Sequence, residues 1–235
     1  MIKAIIFDFT QTLVDSSSGF RLAEKRVQKD IFSFLKLSDW DKFITTYREI
    51  RVESLALFGN SRFRMWQKVC NNFNPESETS FLQELEQEYW DIVTQHTFLF
   101  PETLIVLDKL AKTYKLGLIS NTQGQPGNAR NHLLMEFKIL DSYFQSIVIA
   151  GEDSIPPKPD STPFKICLDQ LKTDASDAIY VGDDWENDVN GSRRAGLEPV
   201  WLKHERVKRN WPDKNSSVTE ICNLEQLLVL FADDR

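Results

Sequence analysis

Histidine and cysteine are scarce in this chain, with three of each among 235 residues. The histidines, His96, His132 and His204, stand in no nucleophile-elbow context, which speaks against a Ser-His-Asp hydrolase and leaves each as a surface or packing residue. The cysteines, Cys70, Cys167 and Cys222, are odd in number, far apart and set in helix-like segments, which suits reduced core thiols better than disulfides or a zinc site. Basic residues are outnumbered 28 to 35, a net charge of −7, so no broad basic surface for nucleic acid is expected. Long apolar runs are missing too. The longest, around Leu224 to Ala232, is broken by Glu225 and Gln226 and falls far short of the ~20 residues a bilayer span needs. The first residues run straight into a strand pattern with no cleavage region behind an apolar stretch, so no secretory signal is expected and the cytoplasm is the default location. Gly124 and Gly127 lack the spacing of a dinucleotide-binding fingerprint and do not follow the first strand.

What is present is the composition of a soluble globular protein, 41% apolar and 27% charged, in a chain long enough for one sizeable core and a smaller module. Five short apolar runs, Ala4 to Phe7, Leu116 to Ile119, Ile147 to Ala150, Ala178 to Val181 and Pro199 to Leu202, read as buried strands. Helix-length segments such as Ala129 to Phe137, Thr162 to Leu171 and Asp188 to Ala195 alternate with the last four, which predicts an α/β core around a doubly wound parallel sheet. Between the first and second strands lie roughly a hundred residues, far more than a single crossover helix requires. From Ser16 to Thr97 the pattern is helical (Phe32, Leu35; Phe81, Leu85, Tyr89), with a polar break at Asn71 to Thr79, so residues 16–97 are expected to form an inserted helical cap domain and residues 1–15 and 98–235 the core. A helix over Pro101 to Tyr114, with Thr103, Val106, Leu107 and Leu110 as its apolar stripe, returns to the core, and Leu224 to Phe231 closes the chain as another.

Four predicted strands end in chemically useful residues. Asp8 follows the first, with Thr10 and Thr12 beside it; a carboxylate there can act as a nucleophile, or it can simply cap a turn. Ser120, Asn121 and Thr122 end the second, where a hydroxyl and neighbouring N–H groups can hold a phosphoryl oxygen or form an ordinary polar turn. Lys158 sits in the stiff stretch Pro156-Pro157-Lys158-Pro159 after the third. Gly182-Asp183-Asp184, with Asp188, follows the fourth as a hard-oxygen site suited to Mg²⁺ or as an acidic helix start. In one parallel sheet all four positions face a single crevice.

In this order and spacing, Asp8-Phe9-Thr10-Gln11-Thr12, Ser120, Lys158 and Gly182-Asp183-Asp184 with Asp188 closely resemble the four motifs of the haloacid dehalogenase superfamily over almost the whole chain. The resemblance implies a Rossmann-like core with a helical cap, Asp8 as nucleophile, and Mg²⁺ held by Asp8, the carbonyl of Thr10, and Asp183 with Asp188 or Asp184. It implies that Ser120 and Lys158, together with Asn121, hold the transferring phosphoryl group. Two positions depart from the pattern. Thr10 stands where the phosphatases usually carry a second Asp as general acid and base, and Gln11 stands where Gly is usual, so a different loop path is expected there. The acidic fourth motif favours phosphoryl chemistry over dehalogenation or carbon–phosphorus cleavage. The expected function is a Mg²⁺-dependent phosphatase acting on a small phosphorylated metabolite through an aspartyl-phosphate, the alternative being a catalytically weak binding or regulatory protein. Arg48, Arg51, Arg62 and Arg64 of the helical stretch are candidates for recognising an acidic substrate, although arginines on exposed helices are usually solvated.

Overall fold

In the computed structural model, which describes residues 1–58, 61–74, 79–122, 133–208, 210–213 and 217–232, the run Ala4–Phe7 is strand β1 and is buried at all four positions. A strand with no polar side needs cover on both faces, and a parallel sheet flanked by helices provides it. Strands β2 (Val14–Asp15) and β3 (Phe98–Leu99) form a short antiparallel ribbon. Strands β4 (Lys115–Asn121), β5 (Ser146–Ala150), β6 (Ala178–Gly182), β7 (Glu198–Leu202) and β8 (Thr219–Ile221) join β1 in a sheet of order β5-β4-β1-β6-β7-β8. Every pairing in it is parallel, so the chain has the expected α/β fold. Phe7 lies opposite Leu118 on one side and Val181 on the other. The strand order runs from β1 outward to β5, then returns to β6 on the opposite side. The carboxyl ends of β1, β4 and β6 therefore border a topological switch point, the place where open α/β sheets bind ligands.

The chain divides into two compact units, one made of Ser18–Thr97 and the other of Met1–Ser17, Phe98–Thr122 and the described residues beyond 132. The first is built from α1 (Ser17–Phe34), α2 (Trp40–Phe58), α3 (Arg62–Phe73) and α4 (Thr79–Gln95). Helix α1 buries Gly19, Ala23, Val27 and Ile31, one residue per turn. Gly19 allows α1 to lie against α4, since a Cβ there would sit 2.8 Å from the carbonyl oxygen of Val93. Aromatic side chains fill the interior: Phe43, Tyr47, Trp66 and Tyr89 are fully buried, and the Trp66 indole donates to the Tyr47 hydroxyl at 3.0 Å. Among the described residues no helix is long and apolar enough to cross a membrane.

In the other unit, α5 (Thr103–Leu110) buries Thr103, Val106, Leu107 and Leu110, the predicted stripe, although the helix is shorter than the predicted segment at both ends. Helix α6 (Thr162–Leu171) spans the predicted residues and packs Phe164, Cys167, Leu168 and Leu171 against Ile6, Ile119 and Tyr180 of the sheet. The segment read as a helix from Asp188 to Ala195 is instead a π-helical turn, Trp185–Asn190, followed by the single turn α7 (Gly191–Arg194). Of the segment Ala129 to Phe137, residues 129–132 lie outside the described residues, and Leu133–Leu140 is a 3-10 helix kinked at Phe137. Gly124, Gly127, His132 and residues 75–78 of the polar break lie outside them as well. The closing helix α8 is confined to Gln226–Leu230. Cys70 and Cys167 are buried free thiols, whereas Cys222 is exposed, which corrects its reading as a core residue. His204 is a packing residue, stacked on Phe100 and paired with Glu102 at 2.8 Å.

Candidate active site

The ladder of β1 continues one residue past its end, where the Asp8 N–H donates to the Val181 carbonyl at 2.9 Å, so the Asp8 carboxylate is set at the carboxyl edge of the central strand. It is buried, 6% exposed. The chain then turns tightly: the N–H of Leu13 reaches back to the Phe9 carbonyl (2.9 Å) and that of Gln11 to the Val14 carbonyl (2.8 Å). Gln11 takes φ +60°, the left-handed conformation glycine adopts freely, at a cost of about 1–2 kcal/mol. The departure expected at this position is thus a strained side-chain-bearing residue in a glycine-type conformation, and the Gln11 amide donates to the Ser16 hydroxyl at 2.9 Å.

Lys158 is brought to Asp8 from a different element. The side-chain amide of Asn121, at the end of β4, brackets the lysine's main chain, donating to its carbonyl (3.0 Å) and accepting from its N–H (2.8 Å). The buried ammonium lies 2.7 Å from Asp8 Oδ1, 2.7 Å from Asp188 Oδ1, 2.8 Å from the Tyr180 hydroxyl and 3.2 Å from the Ile119 carbonyl. With three protons to donate, it is saturated by the nearest three. Burial works against the Lys158 cation, but Asp188 and Asp8 outweigh it and hold the ammonium above the ordinary lysine range. Burial is also the largest influence on Asp8; with Asp188 reinforcing it and Lys158 opposing it, the carboxyl is pushed up to about 7. Burial, followed by the nearby Asp188 and Asp8 carboxylates, keeps the Tyr180 hydroxyl protonated well above its usual range.

The fourth strand supplies the remaining acids. One carboxylate oxygen from each of Asp8, Asp183 and Asp188 lies within 4.8 Å of the others, and all three residues are buried. Gly182 makes room for this grouping: a Cβ there would meet Asp188 Cγ at 2.4 Å. Trp201 on β7 donates its indole N–H to the Asp183 carbonyl at 2.9 Å and fixes that loop. Asp184 stands apart from the cluster. Its carboxylate accepts from the N–H groups of Glu186 and Asn187 at 3.0 and 2.8 Å as the cap of the π-turn, while its own N–H donates to Asp188 Oδ2 at 2.8 Å. Lys158 pairs with two of these three buried carboxylates, and an all-oxygen donor set of this kind fits a hard divalent cation.

The structure thus gathers Asp8, Lys158, Asp183 and Asp188, with Ser120 buried at the end of β4, 1% exposed, beside Asn121. Thr10 is half-buried in the turn behind Asp8. Tyr180 and Trp201 were not anticipated. Each had a signal in the sequence, because a Tyr or Trp inside an apolar strand must find a partner for its polar atom.

Residues 5–202 match the family model of the haloacid dehalogenase-like hydrolases. The chain belongs to that family. An N-acylneuraminate-9-phosphatase of Mus musculus is 26% identical over 237 residues, covering 97% of this chain and 94% of the relative. A glyceraldehyde 3-phosphate phosphatase of Pyrococcus abyssi is 28% identical over 218 residues, covering 87% and 82%. The crystal structure of a 2-haloacid dehalogenase from Pseudomonas syringae, 26% identical, superposes over 100% of both chains with a TM-score of 0.70. As a haloacid dehalogenase-like hydrolase, the chain carries Asp8 at the end of β1 with Thr10 and Gln11 immediately behind it.

Proposed function

We propose that this hydrolase is a phosphomonoesterase in which Asp8 attacks the phosphorus of a small phosphorylated metabolite. The observation that carries this reading is the buried grouping of Asp8, Asp183 and Asp188, two of them paired with Lys158, whose charge is suited to phosphoryl transfer. Attack on the carbon of a haloacid gives no reason to gather three carboxylates. In the first step an Asp8 oxygen forms a bond to phosphorus and the ester P–O bond breaks, leaving an acyl phosphate on Asp8 and an alcohol that takes up a proton. Water then attacks that phosphorus, releasing inorganic phosphate and regenerating the carboxylate. Lys158 holds Asp8 in place and offsets charge on the phosphoryl oxygens, with Ser120 as a further donor and Asn121 holding the main chain of Lys158. A Mg²⁺ bound by Asp8, Asp183 and Asp188, with the Thr10 carbonyl, would supply the remaining positive charge to those oxygens. On the same reading Ser18–Thr97 is the cap, which helps exclude water.

Phosphate release from a panel of phosphomonoesters, with Mg²⁺ and with chelator, tests the proposal; the absence of metal-dependent release from every ester overturns it. Gly182→Ala forces Asp188 from its place, so the Mg²⁺ concentration for half-maximal activity is expected to rise by ~10- to 100-fold. An unchanged Mg²⁺ requirement would remove Asp188 from the ligand set.

Thr10 favours a second reading, a binding protein that turns over slowly, because a threonine hydroxyl does not give up its proton near neutral pH. Thr10→Asp is expected to raise turnover by ~10²-fold when the leaving group is an alkoxide of high pKa, and by much less with p-nitrophenyl phosphate, whose leaving group needs no proton. An equal effect on both would show that proton transfer to the leaving group is not what limits the natural sequence.

A further inference from the structure

The four arginines of the helical stretch have different fates. Arg48 and Arg64 are exposed, and Arg51 is paired with Glu24 at 3.2 Å. Arg62, at the start of α3, is half-buried, and its guanidinium lies 4.8 Å from the ring centre of Tyr89, 5.6 Å from that of Phe20 and 6.0 Å from that of Trp90. Tyr89 and Trp90 meet edge-to-face at 5.2 Å, and Phe20 lies 6.2 Å from Trp90, so the four side chains form one grouping within the helical unit. Aromatic faces attract a cation, but they do not neutralise it. Among the described residues no carboxylate oxygen lies within 4.0 Å of this guanidinium. Glu86, one turn before Tyr89 and Trp90 on α4, is buried at 8% exposure; burial pushes its carboxyl up to about 6 and the charge of Arg62 pulls the other way, without ion-pair contact between them.

Hydrogen bonding in the same grouping is incomplete in one direction. Arg62 Nε and Trp90 Nε1 are buried without a hydrogen-bond acceptor, and the Tyr89 hydroxyl beside them, within the influence of the Arg62 guanidinium, has no acceptor for its own proton. Each such group left unmet costs about 1–3 kcal/mol. Two of the three can only donate and the third does so readily, so what this grouping lacks is an acceptor, and the unpaired cation among them calls for an anionic one. A carboxylate meets both needs, because its two oxygens match the planar fork of a guanidinium and can accept further N–H and O–H groups.

We propose that Arg62, with Tyr89 and Trp90, forms a carboxylate-recognition site in the helical unit that selects phosphorylated acids as substrates. This inference rests on the phosphomonoesterase reading for its link to turnover, and the phosphoryl group itself is assigned to Asp8 and Lys158. The test compares 3-phosphoglycerate with glycerol 3-phosphate, which differ only in a carboxylate replacing a hydroxymethyl group. The ratio of their kcat/KM values is expected to favour the acid by about tenfold or more in the wild type, to collapse toward unity in Arg62→Gln, and to be partly retained in Arg62→Lys. Because a ratio is read, a general loss of active protein in a variant does not affect it. An equal preference in wild type and Arg62→Gln, or no preference in the wild type, overturns the site. Should no ester be hydrolysed, the phosphomonoesterase reading falls and the same pair is titrated by calorimetry. An affinity ratio of about tenfold that disappears in Arg62→Gln then sustains the carboxylate site by itself, and equal or absent binding of the two overturns it.

Discussion

Asp8→Asn is expected to yield a folded protein whose phosphate release has fallen by ~10⁴-fold or more. An amide has nearly the shape of the carboxylate but cannot form the acyl phosphate, so the covalent route closes while the backbone tie from Asp8 N–H to Val181 remains. Stability should not suffer. Burial and the neighbouring Asp188 already raise the Asp8 carboxyl to about 7 against the pull of Lys158, which means the folded protein holds that charge at a cost. Lys158 keeps Asp188, 2.7 Å away, as its counter-charge. Single-turnover phosphate release with saturating Mg²⁺, together with a thermal melt, separates the two effects. Activity within tenfold of wild type would remove Asp8 as nucleophile, and a collapsed melting transition would assign it a structural role.

Lys158→Met should have the opposite balance, with a large loss of stability accompanying the loss of activity. The methionine fills similar volume but leaves Asp8 and Asp188 buried beside Asp183 without their cation. Removing one partner from a buried charged grouping typically destabilises by about 3–5 kcal/mol, roughly 10 °C in Tm for a chain of this length. Divalent metal should then stabilise the variant more than the wild type, because it supplies positive charge the variant otherwise lacks. Melting curves of both proteins over a Mg²⁺ series measure this. A variant as stable as wild type in chelator would show that the three acids do not depend on the lysine for their charge balance.

The parts of this architecture that the sequence discloses are those where one physical demand dominates. Ala4–Phe7 and Ala178–Val181 are legible because strands covered on both faces must be apolar throughout, and α5 because its four buried residues recur at helical spacing. Strand β8 escapes notice: in Thr219–Ile221, at the edge of the sheet, only Ile221 is buried. The turn after Gly182 is misread because Asp184 caps it and Asp188 folds back onto the Asp184 N–H, which tightens a stretch that helical spacing alone would continue. The positions of Asp8, Lys158, Asp183 and Asp188 follow from strand ends. The bracket that Asn121 places on Lys158 spans 37 residues of sequence and the Trp201 contact to Asp183 spans 18, and no local pattern announces either. Asp184, among the acids of the fourth motif, shows the converse: a carboxylate beside the buried acidic cluster whose oxygen is taken up by backbone N–H groups.

The position of β1 in the middle of the sheet also bears on how the protein is made. Its partners begin at Lys115 and Ala178, so during synthesis the strand that carries Asp8 must wait while well over a hundred further residues emerge. At ~5–20 residues per second that is a delay of several seconds or more, with an apolar strand unpaired. Contacts of such long range slow folding. Asp8 is therefore made early and set in place late, and strand β1 is where a chaperone has the longest opportunity to act.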